Sequence, residues 1–130
     1  MGIFRSVITH KNKLLCFSPP KSYNINLFMI EHSSEEFFSE EMIEGTMINL
    51  FFDKNINNWE IATKSSVGGN VTFHKEQPMF SELFYEICTE LGVDFNNFNK
   101  EYCYSFVMQH PQNKFVLPLT EKKLYLIAVY

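Results

Sequence analysis

Histidine, cysteine and carboxylate side chains ligate metals, attack phosphoryl or acyl centres and move protons, and their spacing decides which of these tasks is open to them. The four histidines, His10, His32, His74 and His110, are scattered along the chain. None stands four residues from another on a helix or beside a cysteine at ligand spacing, so no zinc signature is present and no metal-binding residue is expected. Cys16, Cys88 and Cys103 form an odd set without a C-x-x-C motif. The expected state is three reduced thiols, with Cys88 a small core residue rather than a nucleophile. Glu35, Glu36, Glu40, Glu41 and Glu44 make an acidic stretch of the kind that forms a solvated face. Glu44 differs in preceding Gly45 and Thr46 at the start of a strand, and a second glycine turn, Gly68-Gly69, follows Lys64. Glycine permits either a tight turn or the close approach of a ligand, and both alternatives stand for these two turns. Neither fits a P-loop or a dinucleotide-binding fingerprint.

The elements that must position these side chains are also legible. Residues 4–9 and 13–18 flank the short polar link His10-Lys11-Asn12 and predict a hairpin. Pro19-Pro20 excludes a central strand, and residues 23–30 are expected to be extended or irregular. Ser33-Ser34-Glu35-Glu36 supplies a cap and early carboxylates for a short helix through Phe37 and Phe38. Residues 42–52 and 59–63 predict a second hairpin around a polar turn, with Trp59, Ile61 and Thr63 on one face and Glu60, Ala62 and Lys64 on the other. Phe80, Leu83, Phe84, Ile87, Cys88 and Leu91 recur at helical spacing between Pro78 and Gly92, which predicts the main helix over 78–91. Residues 102–108, 114–117 and 124–130 follow as strand candidates. Strands, one main helix and strands again make an α+β domain with a largely antiparallel sheet.

With 130 residues, 45% of them apolar, the chain is expected to form one domain over 1–130 around a packed core. A formal charge of -4 argues against a general nucleic-acid coat and leaves room for a local basic pocket. No apolar stretch approaches the roughly 20 residues of a membrane helix, so no membrane partner and a cytoplasmic location are expected. Met1-Gly2 with Ser6 fits the loose myristoylation pattern, although Gly2 leads straight into an apolar strand. Asn70-Val71-Thr72 fits a glycosylation sequon and is more simply a polar turn.

Five segments lie in collinear order over most of the chain: Phe4-Arg5-Ser6-Val7-Ile8, Cys16-Phe17-Ser18-Pro19-Pro20-Lys21, Ile43-Glu44-Gly45-Thr46, Trp59-Glu60-Ile61-Ala62-Thr63-Lys64, and Tyr104-Ser105-Phe106 through His110-Pro111-Gln112-Asn113-Lys114. Together they resemble the nucleotidyltransferase domain of bacteriophage-type RNA ligases, especially a divergent branch found in large DNA viruses. The resemblance implies an antiparallel-sheet-rich α+β fold holding a nucleotide between sheets. In such ligases the lysine of a K-x-D-G motif attacks the ATP α-phosphate and carries AMP as a phosphoramide, so the amine is the nucleophile. The corresponding stretch here is Met42-Ile43-Glu44-Gly45, and a thioether cannot form that bond. A later F-E pattern, four residues before a proline, aligns with Phe106-Val107 before Pro111, so a carboxylate that contacts nucleotide or metal is also replaced. The family continues into an acidic metal-binding motif and a phosphate-gripping lysine pair beyond Tyr130, which implies a trimmed domain without catalytic residues.

The resemblance places Arg5, Lys21, Glu44, Gly45, Lys64 and Lys114 around a nucleotide or RNA phosphate. Lys114 stands where an arginine is usual, and an ammonium recognises phosphate only as a point charge. Ordinary exposed charge is the alternative account of these side chains. ATP and magnesium are the cofactors implied, and a nucleotide or RNA the partner. The leading expectation is a catalytically degenerate ligase-like module that retains a nucleotide or RNA-end pocket. One alternative is an active adenylyltransferase that uses another lysine or is completed by a partner chain. The other is an interaction or structural protein whose exposed aromatics drive homo-oligomer or partner contacts.

Overall fold

A computed structural model of the chain describes residues 3–22, 24–32, 39–72, 75–113 and 118–130. The expectations for Gly2, for the helix through Phe37 and Phe38, for His74, and for Lys114 and the strand over 114–117 lie outside these residues.

β1 (Val7–His10) and β2 (Lys13–Phe17) pair antiparallel as the predicted hairpin. Lys11 and Asn12 at its tip take φ of 44° and 63°, the double left-handed turn whose twist suits a two-residue connection. Of residues 23–30, expected to be extended or irregular, residues 25–30 instead lie in α1 (Ile25–Glu31). The cause is local: the Asn24 side chain accepts the Asn26 N–H at 2.8 Å and caps the first turn. None of its residues is buried, which is why no amphipathic period announces this helix.

β3 (Thr46–Asp53), β4 (Asn58–Ala62), β5 (Cys103–Gln109) and β6 (Lys123–Val129) form an antiparallel sheet in the order β4-β3-β5-β6. The fold is α+β, with two antiparallel sheets and two α-helices among the described residues. Alternation along β3 splits the molecule into two apolar clusters. Ile48 and Leu50 point with Ile61, Tyr104, Phe106 and Met108 to one face, where Phe80, Leu83, Phe84 and Ile87 of α2 (Phe80–Glu90) cover them. Each such fully buried side chain contributes about 1.5–3 kcal/mol. Met79 opens α2 by donating its backbone N–H to Glu82 at 2.8 Å, and Gly92 with φ of 66° lies just beyond its end. The opposite face carries Phe51, Ala62 and Cys103 beneath Cys16, with Ile8 and Leu15 packed alongside. The β1–β2 hairpin thus lies over one half of that face.

Two of the cysteines correct the expectation of three reduced thiols. Cys16 of β2 and Cys103 of β5 form a disulfide, with their Cα atoms 5.6 Å apart and a sequence separation of 87. Cys88 stays free and buried on α2, as its place on the apolar face implies, and burial pushes its thiol up to about 11. Among the described residues no helix is long and apolar enough to cross a membrane.

Candidate functional site

At the base of the β1–β2 hairpin, Arg5, Ser6 and Ser18 meet Met47 and Asn49 of β3 and Lys64 beyond β4 around a recess of about 40 Å³. The hairpin base is fixed by reciprocal bonds. The Ser6 N–H donates to the Ser18 hydroxyl oxygen at 3.0 Å, and the Ser18 N–H donates to the Ser6 carbonyl at 3.1 Å. Lys64 is held by the turn that follows β4, where the Thr63 N–H reaches the Ser66 carbonyl at 2.8 Å and the Gly68 N–H reaches the Ile61 carbonyl at 2.7 Å. Both cations are exposed at their tips, and the floor beneath them is buried and polar.

Asn49 forms that floor. It is 1% exposed, and its side-chain oxygen accepts from the Ser105 hydroxyl at 2.7 Å. Its side-chain nitrogen has no partner among the described residues, and neither has the Ser6 hydroxyl. Leaving a buried donor unpaired costs about 1–3 kcal/mol, so the geometry favours any group that brings an acceptor oxygen into the recess. A guanidinium, an ammonium and an amide N–H around one small space favour an anion's oxygens over a cation or an apolar group.

Met47 also borders a shallow groove of about 420 Å³ whose other walls include Met42, Ile43, Val107, Tyr125 and Ile127. Recess and groove therefore lie side by side on the sheet face opposite α2. Met42 is 93% exposed, and Val107 is a register neighbour of Met47 and of Tyr125. Among the described residues no group of three or more His, Cys, Asp or Glu is placed to hold a metal ion.

Of the six site residues suggested by the sequence, the structure brings Arg5 and Lys64 together. Lys21 sits at the base of the hairpin, its N–H donating to the Ile3 carbonyl at 2.8 Å, and does not line the recess. Glu44 and Gly45 lead into β3. The Glu44 carbonyl accepts from the Gln109 side chain at 2.8 Å, and a Cβ on Gly45 would stand 2.6 Å from the Met108 carbonyl oxygen. Gly45 is thus required by the close approach of β5. The Gly68-Gly69 turn is likewise spent on packing: a Cβ on Gly69 would meet the Ile61 side chain at 2.8 Å, and the Gly69 carbonyl accepts from the Ser81 N–H at 3.1 Å. Lys114 lies outside the described residues. Asn49 and Ser6 are the residues that sequence reasoning missed. The signal for Asn49 is an amide in the middle of the otherwise apolar run Ile48 to Phe52.

Over 99 residues the chain is 31% identical to an RNA ligase of Rhodothermus phage RM378. The chain is RNA ligase-like in sequence. The match covers 68% of this chain and 22% of that ligase, so the ligase-like chain spans about a fifth of the length of the relative. No family model and no solved structure matches it.

Proposed function

We propose that residues 1–130 form one domain, a catalytically degenerate RNA ligase-like module that binds the phosphate of a nucleotide or an RNA end between Arg5 and Lys64. The observation that carries this reading is the buried Asn49 amide, part of the same recess as the two cations, whose nitrogen has no partner among the described residues. Phosphate oxygens supply what that donor lacks, and the two cations offset their charge. Similarity to a phage RNA ligase favours a nucleotide or RNA phosphate over other anions. Glu44, Gly45, Lys21 and Lys114 enter the proposal through the resemblance of their segments, with Glu44 and Gly45 two or three residues from Met47 on the way into β3. ATP with magnesium is the ligand to test first. Met42 leaves no amine at the position where such ligases carry AMP, which supports binding without covalent transfer.

Isothermal titration with AMP and with magnesium-ATP tests the proposal. Saturable binding is expected, weakened about tenfold or more in Arg5→Ala/Lys64→Ala, as loss of charge-assisted bonds implies. Equal affinity in the double variant would remove the site. Intact mass after incubation with ATP and magnesium is expected to be unchanged, and an AMP increment would instead assign an adenylyltransferase.

A second reading, contact with a second copy or another protein, draws on one feature. β6 is an edge strand of the sheet, and Leu126 and Ile127 beside the groove are 53% and 45% exposed. Sedimentation that stays monomeric over a concentration series would count against it.

A further inference from the structure

The tip of the β1–β2 hairpin, the β3–β4 turn and the segment entering β5 meet in a cleft of about 340 Å³. Four lysines line it, Lys11, Lys13, Lys54 and Lys100, with His10 beside them. These are four of the eleven Lys and Arg residues of a chain whose formal charge is -4. Glu101 is the one carboxylate among the described lining residues, and it is engaged by Lys54 at 2.6 Å. Asp53, the other acid nearby, is turned onto Asn55, accepting from its backbone and side-chain nitrogens at 2.8 and 2.6 Å. Lys11 and Lys13 form no ion pair among the described residues.

Three of the four cations are carried on turns, and Lys13 opens β2. Lys11 is itself part of the left-handed turn at the hairpin tip, and Asn57, with φ of 52°, closes the turn that carries Lys54. Lys100 rests 4.3 Å from the centroid of the Phe52 ring, and the loop behind it is pinned where the Asn99 N–H donates to the Tyr104 hydroxyl oxygen at 2.8 Å. Like charges drawn together from three distant segments repel one another and add nothing to folding. Their convergence in an acidic chain makes this cleft a local positive patch that suits an anion.

We propose that this cleft binds the phosphodiester backbone of single-stranded nucleic acid. With Lys54 held by Glu101, Lys11 and Lys13 at the hairpin tip and Lys100 before β5 are left spread along the cleft, which matches successive phosphates along one strand better than a single phosphate group. The tips are short turns, without the helix or long β-ribbon that enters a duplex groove. The site does not rest on the Arg5 and Lys64 recess. That recess lies at the base of the hairpin and the cleft at its tip, separated by the length of β1, about 10 Å for four residues.

The test is fluorescence anisotropy of the full chain with a labelled single-stranded RNA of about twelve nucleotides, both ends blocked, between about 50 and 200 mM salt. Three phosphate contacts predict a slope of log affinity on log salt of about -2, at roughly -0.7 per contact on a single strand. Lys11→Gln/Lys13→Gln/Lys100→Gln is expected to weaken binding about tenfold or more at low salt and to bring the slope near zero. Its melting temperature should be unchanged, since all three side chains are exposed. Arg5→Ala/Lys64→Ala is expected to keep the slope, which separates this cleft from the phosphate recess. An unchanged triple variant, equal binding of a duplex of the same length, or equal competition by polyglutamate would each overturn the assignment.

Discussion

The Ser105 hydroxyl donates to the Asn49 side-chain oxygen at 2.7 Å across the register pair that joins β5 to β3. That bond satisfies the oxygen end of the amide. With the oxygen satisfied, the nitrogen is the group left without a partner, between the strand that carries Met47 and the loop that carries Lys64.

Replacing both partners tests this separately from stability. Asn49→Leu/Ser105→Ala removes the buried polar pair together, so neither residue is left unsatisfied, and the change in folding free energy is expected to stay within about 1 kcal/mol. Affinity for magnesium-ATP should fall about tenfold if the amide N–H contacts phosphate, at roughly 1.4 kcal/mol per factor of ten. Chemical denaturation and calorimetric titration of the same sample read the two effects.

Gly45→Ala distinguishes packing from ligand contact. The new methyl would stand 2.6 Å from both the Met108 carbonyl oxygen and a Val107 methyl, and the first of these is backbone that cannot swing aside. The expected result is a loss of about 1–3 kcal/mol of stability, the usual cost of overpacking, whether or not nucleotide is present. Full stability with lost nucleotide binding would make Gly45 a ligand-contact residue instead.

Much of this architecture is legible in sequence because its signal is periodic. The apolar spacing from Phe80 to Leu91 reports α2, and the alternation of Trp59 and Ile61 with Glu60 and Ala62 reports which side of β4 faces α2. α1 is not legible in that way, since it rests on one capping side chain, Asn24, and buries nothing. The disulfide is invisible for another reason: Cys16 and Cys103 have a sequence separation of 87, and only the stacking of β2 over the sheet makes them neighbours. At the candidate site, Arg5 and Lys64 follow from the resemblance, whereas the Asn49 floor depends on which face of β3 the hairpin leaves open. The lysines of the cleft come from separate segments with no common motif, so charge composition alone conceals them.

The cysteine pairing predicts a thiol count. In the folded protein without reductant, a thiol reagent should find close to no reactive group, because Cys88 is buried and its thiol is pushed up to about 11. After denaturation it should find one thiol per chain. Three would exclude the Cys16–Cys103 bond. Cys16→Ser/Cys103→Ser is expected to lower stability by about 2–4 kcal/mol, since the bond closes a long loop of the unfolded chain.

His110 predicts the direction of a pH effect. It is 2% exposed, its Nδ1 accepts from the Gln112 N–H at 3.1 Å, and its Nε2 faces the Glu86 carboxylate at 3.4 Å, where Lys122 is also bound. Burial holds the imidazole below its usual value, outweighing the opposite pull of Glu86. The unfolded chain therefore takes up this proton first. Stability from the neutral histidine is complete above about pH 6.5 and is lost as pH falls toward the lower folded value. Melting temperatures at about pH 7.5 and 5.5 should show a drop that shrinks in His110→Gln. An equal drop in the variant would assign the effect to other groups.

The central strands β3 and β5 are neighbours in the sheet but stand on either side of α2 in the chain. During synthesis the β3–β4 hairpin and α2 are both complete before β5 exists, so the inner ladder of the sheet waits until Gln109 has left the ribosome. Pairing this remote in sequence slows folding relative to a chain of mostly local contacts. Through that interval the side of β3 bearing Asn49 and Phe51 lacks its β5 neighbour, and Cys16 lacks the partner that clamps the first hairpin down. Until then the chain keeps apolar surface and a strand edge uncovered, and the emergence of β5 joins β3 and brings the clamp within reach, leaving β6 to complete the sheet.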